Sequence, residues 1–223
     1  MAYLIEEVIP LETDADNKNT TRERILFATL DIIGSQGLQN VTTRKIAAKA
    51  DVNIAAINYY FGSKDNVVNE AMKIFAHKLM NSYQYLDDVN VPPECRLRNF
   101  LRSYADITLE YPDICRNFIN KVMNHPGVSF EYIEFMKKVG WEKLKIILRE
   151  ITRIQDDEIL LMKIFQMFSS LEFPVLLGKH MKIVSNFDYA KKDYRYKYVE
   201  LLLESLLYAP RKDCEICKPD PLP

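Results

Sequence analysis

From Thr20 to Ala209, apolar residues recur every three or four positions in one segment after another, and this spacing most narrows the fold. A half-buried strand would need apolar and polar residues in alternation, and no segment of consequence shows it. Only six glycines interrupt 223 residues. The chain is therefore expected to be all-α, with nine helices. Its 48% hydrophobic residues suffice for a sizeable core.

"TTRERILFATLDIIGSQG" predicts a first helix capped by Thr20 or Thr21. Ile25, Leu26, Leu30 and Ile33 lie on its apolar face, and Gly34 and Gly37 break it. "VTTRKIAAKA" predicts a short second helix, with Thr42 as cap and Ile46, Ala47 and Ala50 turned inward. Asp51 and Val52 make a turn, and Asn53 caps a third helix that ends near Tyr60. A fourth helix opens at Gly62 or Ser63 and runs to about Leu86, with Val68, Met72, Phe75 and Leu79 as its apolar stripe. Beyond a linker marked by Pro92 and Pro93, helices are expected over 95–111, 112–124, 129–154, 156–180 and 193–209. Pro112 suits a first turn, and Pro174 predicts a kink.

Charge is uneven. Residues 1–19 hold five acids against Lys18, an acidic arm expected to be disordered. Residues 20–64 hold six bases (Arg22, Arg24, Arg44, Lys45, Lys49, Lys64) against three acids. The formal net charge of −1 excludes a globally basic nucleic-acid coat but leaves room for this local patch. The N-terminus lacks the basic and apolar regions of a secretory signal, and no run approaches the ~18 consecutive apolar residues of a membrane span. A cytoplasmic location without membrane attachment is the default.

Four cysteines do not make a disulfide framework. Cys214 and Cys217 form a lone C-x-x-C in a tail, 210–223, expected to be flexible. A structural zinc site would need a second pair, so no metal and no cofactor is expected. His77, His125 and His180 are scattered, with no nucleophile or carboxylate pattern beside them, which argues against an enzyme.

A cap, a short helix, a tight turn and a second short helix form a helix-turn-helix unit, whose second helix suits the ~12 Å major groove. The stretch "RILFATLDIIGSQGLQNVTTRKIAAKADVNIAAINYYFGSKDNVVNEAM", residues 24–72, resembles the TetR family of bacterial transcriptional regulators. The resemblance implies an N-terminal three-helix bundle with the helix-turn-helix at 20–64 and a larger helical ligand-binding and dimerisation domain at 65–209. It also implies a homodimer on double-stranded operator DNA, acting as a repressor released by a small-molecule effector.

On that analogy Ile54, Ala55, Ala56, Asn58 and Tyr59 face the groove, while Ile57 and Phe61 pack inward. The chemistry agrees: Asn can pair with an adenine edge and Ala or Ile can touch a thymine methyl. Tyr60 offers a hydroxyl, and the resemblance implies that Arg44 reaches a base edge and that Lys64 anchors a phosphate. Thr42, Thr43 and Asn53 offer groups at helix N-termini. Asp51 and Asn53 depart from the family's usual turn glycine and Ser or Thr cap.

Phe100, Tyr104, Phe118, Met123, Phe135, Trp141, Phe165 and Phe168 fit either plain core packing or the lining of an apolar cavity. A lining of this kind would favour a hydrophobic or amphipathic effector. Two other readings stay open: a constitutive DNA binder or adaptor without ligand control, and a thiol-based redox or metal sensor through Cys214 and Cys217.

Overall fold

In the computed structural model, which describes residues 21–116, Ile119 and 131–207, the early helices begin where a side chain can satisfy their first amides. Here α1 is Thr21–Gln36, α2 Thr43–Ala50, α3 Ile54–Phe61 and α4 Lys64–Ser82. Thr42 Oγ1 accepts from Lys45 N, Asn53 Oδ1 from Ala55 N and Ser63 Oγ from Asn66 N. Those amides have no partner within their own helix, so each cap offsets a desolvation cost. Tyr83–Leu86 continues α4 as a 3₁₀ turn.

Helix α5 is Pro93–Glu110, and α6, opened by Pro112, is described over 112–116. Helix α7, Glu131–Phe135, passes through a π turn at Met136–Gly140 into α8, Trp141–Thr152. Then come α9, Asp157–Leu177, α10, Lys179–Ser185, and α11, Lys192–Leu207. Every regular element among the described residues is helical. The acidic arm 1–19, Thr20, Phe118, Met123, His125, Cys214, Cys217 and the tail 210–223 lie outside them.

Three local expectations change. Helix α1 does not break at Gly34; a Cβ there would stand 3.0 Å from the Glu110 carbonyl oxygen, so the glycine admits the end of α5 against α1. On α4 the buried line is Val67, Ala71, Phe75 and Leu79, with Val68 and Met72 only half-buried beside it. The helix packs between α1 and α5, and that geometry rather than residue size selects the inward line.

The helix expected over 156–180 divides into α9 and α10, and with the π turn between α7 and α8 the labels run to eleven rather than nine. The division falls at Gly178, φ 52°, not at Pro174, which stays inside α9. There the Arg116 guanidinium donates to the carbonyls of Val175 (3.1 Å) and Leu176 (3.3 Å), closing the end of α9. Pro174 has no N–H for the carbonyl of Ser170, and the Tyr198 hydroxyl of α11 donates to that oxygen instead at 3.0 Å.

One contiguous apolar core runs from Ile25 and Ile33 through Phe75, Leu97 and Leu101 to Leu171, Val199 and Leu206. Polar ties hold α11 on α5: Arg98 and Arg102 share Glu200, and Arg195 pairs with Asp106. Removing the Tyr198 hydroxyl should leave the Ser170 carbonyl without its donor. Tyr198→Phe is expected to lower unfolding free energy by about 1 kcal/mol in urea titration, with an unchanged m-value.

Candidate DNA interface

Only two side chains of the eight-residue α3 are buried, Ile57 and Phe61. They set the helix against α2 and α4. The Arg22 guanidinium lies over the Phe61 ring, 5.2 Å from its centroid, and its Nη2 donates to Glu70 Oε2 at 3.1 Å, joining α1 to α4 around that ring. With the inward face so fixed, Ile54, Ala55, Asn58, Tyr59 and Tyr60 are exposed, Tyr59 by 84%. Ala56 is half-buried, so it offers less surface than its neighbours. The rings of Tyr59 and Tyr60 meet edge to face at 5.1 Å.

The turn before α3 depends on Asp51, which takes the left-handed conformation (φ 53°, ψ 56°). Its short polar side chain tolerates this better than most. Gly62 ends α3, donating its N–H to the Asn58 carbonyl at 2.9 Å.

The flanking groups are available to an anion in different degrees. Thr42 is exposed; its oxygen accepts the cap bond, and its hydroxyl hydrogen is free to donate. Thr43 is half-buried. Arg44 is exposed and forms no ion pair among the described residues. Lys45 donates to Gln36 Oε1 at 2.9 Å, and Lys49 pairs with Asp31. Asn53 spends its carbonyl on the cap and keeps its amide donors. Lys64 is the first residue of α4, with a long 3.6 Å contact to the adjacent Asp65. A cation at a helix N-terminus opposes the macrodipole, so this residue costs the fold a little and gains an exposed charge beside α3.

The aromatic residues also converge. Tyr83, in the turn after α4, meets Phe100 at 4.7 Å and Phe135 at 4.9 Å. Phe100 meets Tyr104 at 6.0 Å, Tyr104 meets Phe168 at 5.1 Å, Phe168 meets Trp141 at 6.2 Å, and Trp141 meets Phe165 at 5.6 Å. Phe100 and Tyr104 are fully buried, Phe135, Trp141 and Phe168 half-buried, and Phe165 is exposed. Sequence reasoning missed the polar members, Tyr83, Tyr132 and Glu172. A glutamate inside the apolar "SSLEFPVLL" was the available signal. An open cleft of about 350 Å³ is lined by α1 and α2 residues, among them Arg24, Phe27 and Lys49, and not by these rings.

Residues 25–71, which hold α2, α3 and the groups that flank them, match the family described as bacterial regulatory proteins, tetR family. These residues carry the helix-turn-helix module of that family. Among curated relatives, the HTH-type transcriptional dual regulator CecR of Shigella flexneri is 50% identical over 46 residues, 21% of this chain and 20% of CecR. The HTH-type transcriptional regulator BetI of Stenotrophomonas maltophilia is 32% identical over 78 residues, 34% of this chain and 40% of BetI. The matched part thus spans less than half of either relative. The ketosteroid transcriptional regulator KstR2 of Mycobacterium tuberculosis has a similar structure, with a TM-score of 0.62 at 17% identity, covering 86% of this chain and 98% of KstR2. At that identity the likeness is one of fold.

The left-handed Asp51 gives a direct check on the turn. Asp51→Gly should raise stability by up to about 1 kcal/mol, and Asp51→Val should lower it by more, in thermal unfolding.

Proposed function

We propose that this protein is a homodimeric, DNA-binding transcriptional repressor released from its operator by a hydrophobic or amphipathic small molecule. Residues 20–64 form the reader, and residues 65–209 form the effector and dimer domain. The observation that carries the reading is α3, an exposed helix without charge, held by Ile57 and Phe61 and bordered by Arg44 and Lys64. Uncharged groups read base edges, and flanking cations hold phosphates.

Assembly rests on α9. Its inward face, Leu160, Ile164, Met167 and Leu171, is buried, while Ile159, Met162, Phe165, Phe173 and Leu176 are exposed. By length and composition this helix is apolar enough to cross a membrane, yet only 33% of its most apolar window is buried. Ile159, Met162, Phe173 and Leu176 fit the three- and four-residue steps of a helix-packing seam. Leu201 on α11 is exposed as well, while Leu202, Leu203 and Leu206 face the core. A second copy is the occupant we assign to this face. It would place two reading heads on half-sites about 34–36 Å apart or a related spacing.

The effector reading rests on the aromatic chain, which ends at Tyr83, directly behind α4. A ligand that prefers a tilted α4 lowers DNA affinity, and DNA lowers ligand affinity by the same factor.

Two measurements test these parts. Asn58→Ala should cost about 1–3 kcal/mol on the selected operator and relax preference at particular base pairs. Lys64→Ala should weaken all duplexes alike and reduce the salt slope by about one. Identical behaviour of the two variants on matched and scrambled sites would remove the division of roles. In sedimentation at micromolar concentration the wild type should be a dimer burying roughly 1,200–2,000 Å² or more. Phe173→Glu with Met162→Glu should yield a folded monomer. A monomeric wild type would refute the assembly.

A further inference from the structure

Glu172 stands on the inner flank of α9, one turn after Phe168, and its carboxylate Oε1 accepts the Tyr104 hydroxyl at 2.8 Å. That is its one hydrogen bond, and it forms no ion pair, among the described residues. Three other carboxylates that face neighbouring helices have cations: Glu150 has Arg96, Glu200 has Arg98 and Arg102, and Asp106 has Arg195. Around Glu172 are instead the rings of Tyr104 and Phe168, with Trp141 beyond Phe168, and the groups of Tyr83, Tyr132 and Cys115 within electrostatic reach. Glu172 itself is half-buried and Phe165, at the far end of the ring chain, is exposed.

A carboxylate drawn into an aromatic core without a countercharge is costly unless something cationic or a proton joins it. Burial pushes the Glu172 carboxyl above the usual carboxylate range, and the Tyr104 bond only partly opposes this. Burial likewise raises the Tyr104, Tyr132 and Tyr83 hydroxyls, so all three stay protonated and act as donors or acceptors without charge. An electron-rich ring face attracts a cation, and a nearby carboxylate adds a full opposite charge.

We propose that Glu172, with the rings of Tyr104, Phe168 and Trp141, forms a binding site for a lipophilic monocation, an organic ammonium or phosphonium carrying an apolar body. The proposal rests on the effector reading above and names the charge of that effector. The apolar body lies along the ring chain, and the cationic centre pairs with the Glu172 carboxylate, which has no cation among the described residues. The site is coupled to the reader through hydroxyls. With the Tyr104 hydrogen on Glu172, the Tyr132 hydroxyl donates to the Tyr104 oxygen, and the Tyr83 hydroxyl has two acceptors for its single hydrogen, the Tyr132 oxygen at 3.3 Å and Met136 Sδ at 2.9 Å. Tyr83 opens the 3₁₀ turn that ends α4, so a cation competing with Tyr104 for Glu172 disturbs bonds that end on this helix.

Trp141 is the sole tryptophan of the chain and belongs to the site, so its fluorescence reports occupancy with no DNA present. The full-length protein is titrated with tetraphenylphosphonium, with tetraphenylborate of the same shape and opposite charge, and with neutral triphenylphosphine oxide. The cation should bind tightest. Glu172→Gln, nearly isosteric, should weaken the cation about tenfold or more and leave the neutral probe unchanged. Tyr104→Phe keeps the ring and removes the competing hydroxyl, so cation affinity should be retained or increased. Equal binding of the three probes by the wild type, or undiminished cation binding by Glu172→Gln, overturns the proposal. If the cation binds through Glu172 but leaves a protein–operator complex intact, the site stands and the release of DNA by effector fails.

Discussion

An eight-residue helix is not stable alone in water, because nucleation costs more than so few bonds return. Helix α3 therefore exists only because Ile57 and Phe61 are clamped among α1, α2 and α4. The direction of every exposed group on it follows from those two anchors. The clamp is itself tied by Arg22, which covers the Phe61 ring and bonds Glu70 on α4. Loss of this small contact area would release both the reading face and its relation to α4.

The same segment carries local conflicts that stability alone would not select. Asp51 holds a left-handed backbone, Lys64 opposes a helix dipole, and Tyr59 exposes most of an aromatic ring to water. Such departures concentrate where a surface serves a partner. Here they border one uncharged helix, and the proposed division between base-reading and phosphate-holding groups accounts for them together.

Helix α9 joins the two other proposed functions, assembly and effector binding. One face completes the core, another leaves large apolar side chains uncovered, and Glu172 lies between them. Pro174 and Gly178 would weaken its last turns, but Tyr198 and Arg116 supply the missing hydrogen bonds from α11 and α6. These bonds tie to α11 and α6 the last turns of α9, which carry Phe173 and Leu176 of the proposed dimer face and follow Glu172 of the proposed cation site.

Ile57 and Phe61 could be placed inward through the family resemblance; the helical class, the caps Thr42 and Asn53, a start of α4 at Gly62 or Ser63, the inward residues Ile46 and Ala47, and the turn at Asp51 were legible in the sequence itself. Each depends on contacts within a few residues, and local spacing determines those. Tertiary packing alone decided that α4 turns Val67 and Ala71 inward rather than Val68 and Met72, because two helices on different sides share its surface. It alone decided that the helix after Asp156 ends at Gly178, because Tyr198, 24 residues beyond Pro174 in sequence, supplies a donor where the proline has none. The candidate aromatic residues could be named beforehand, but not sorted into filler and site. Burial and the partner of a carboxylate are properties of several helices at once, and Glu172 acquired its environment only when α5, α7 and α9 came together.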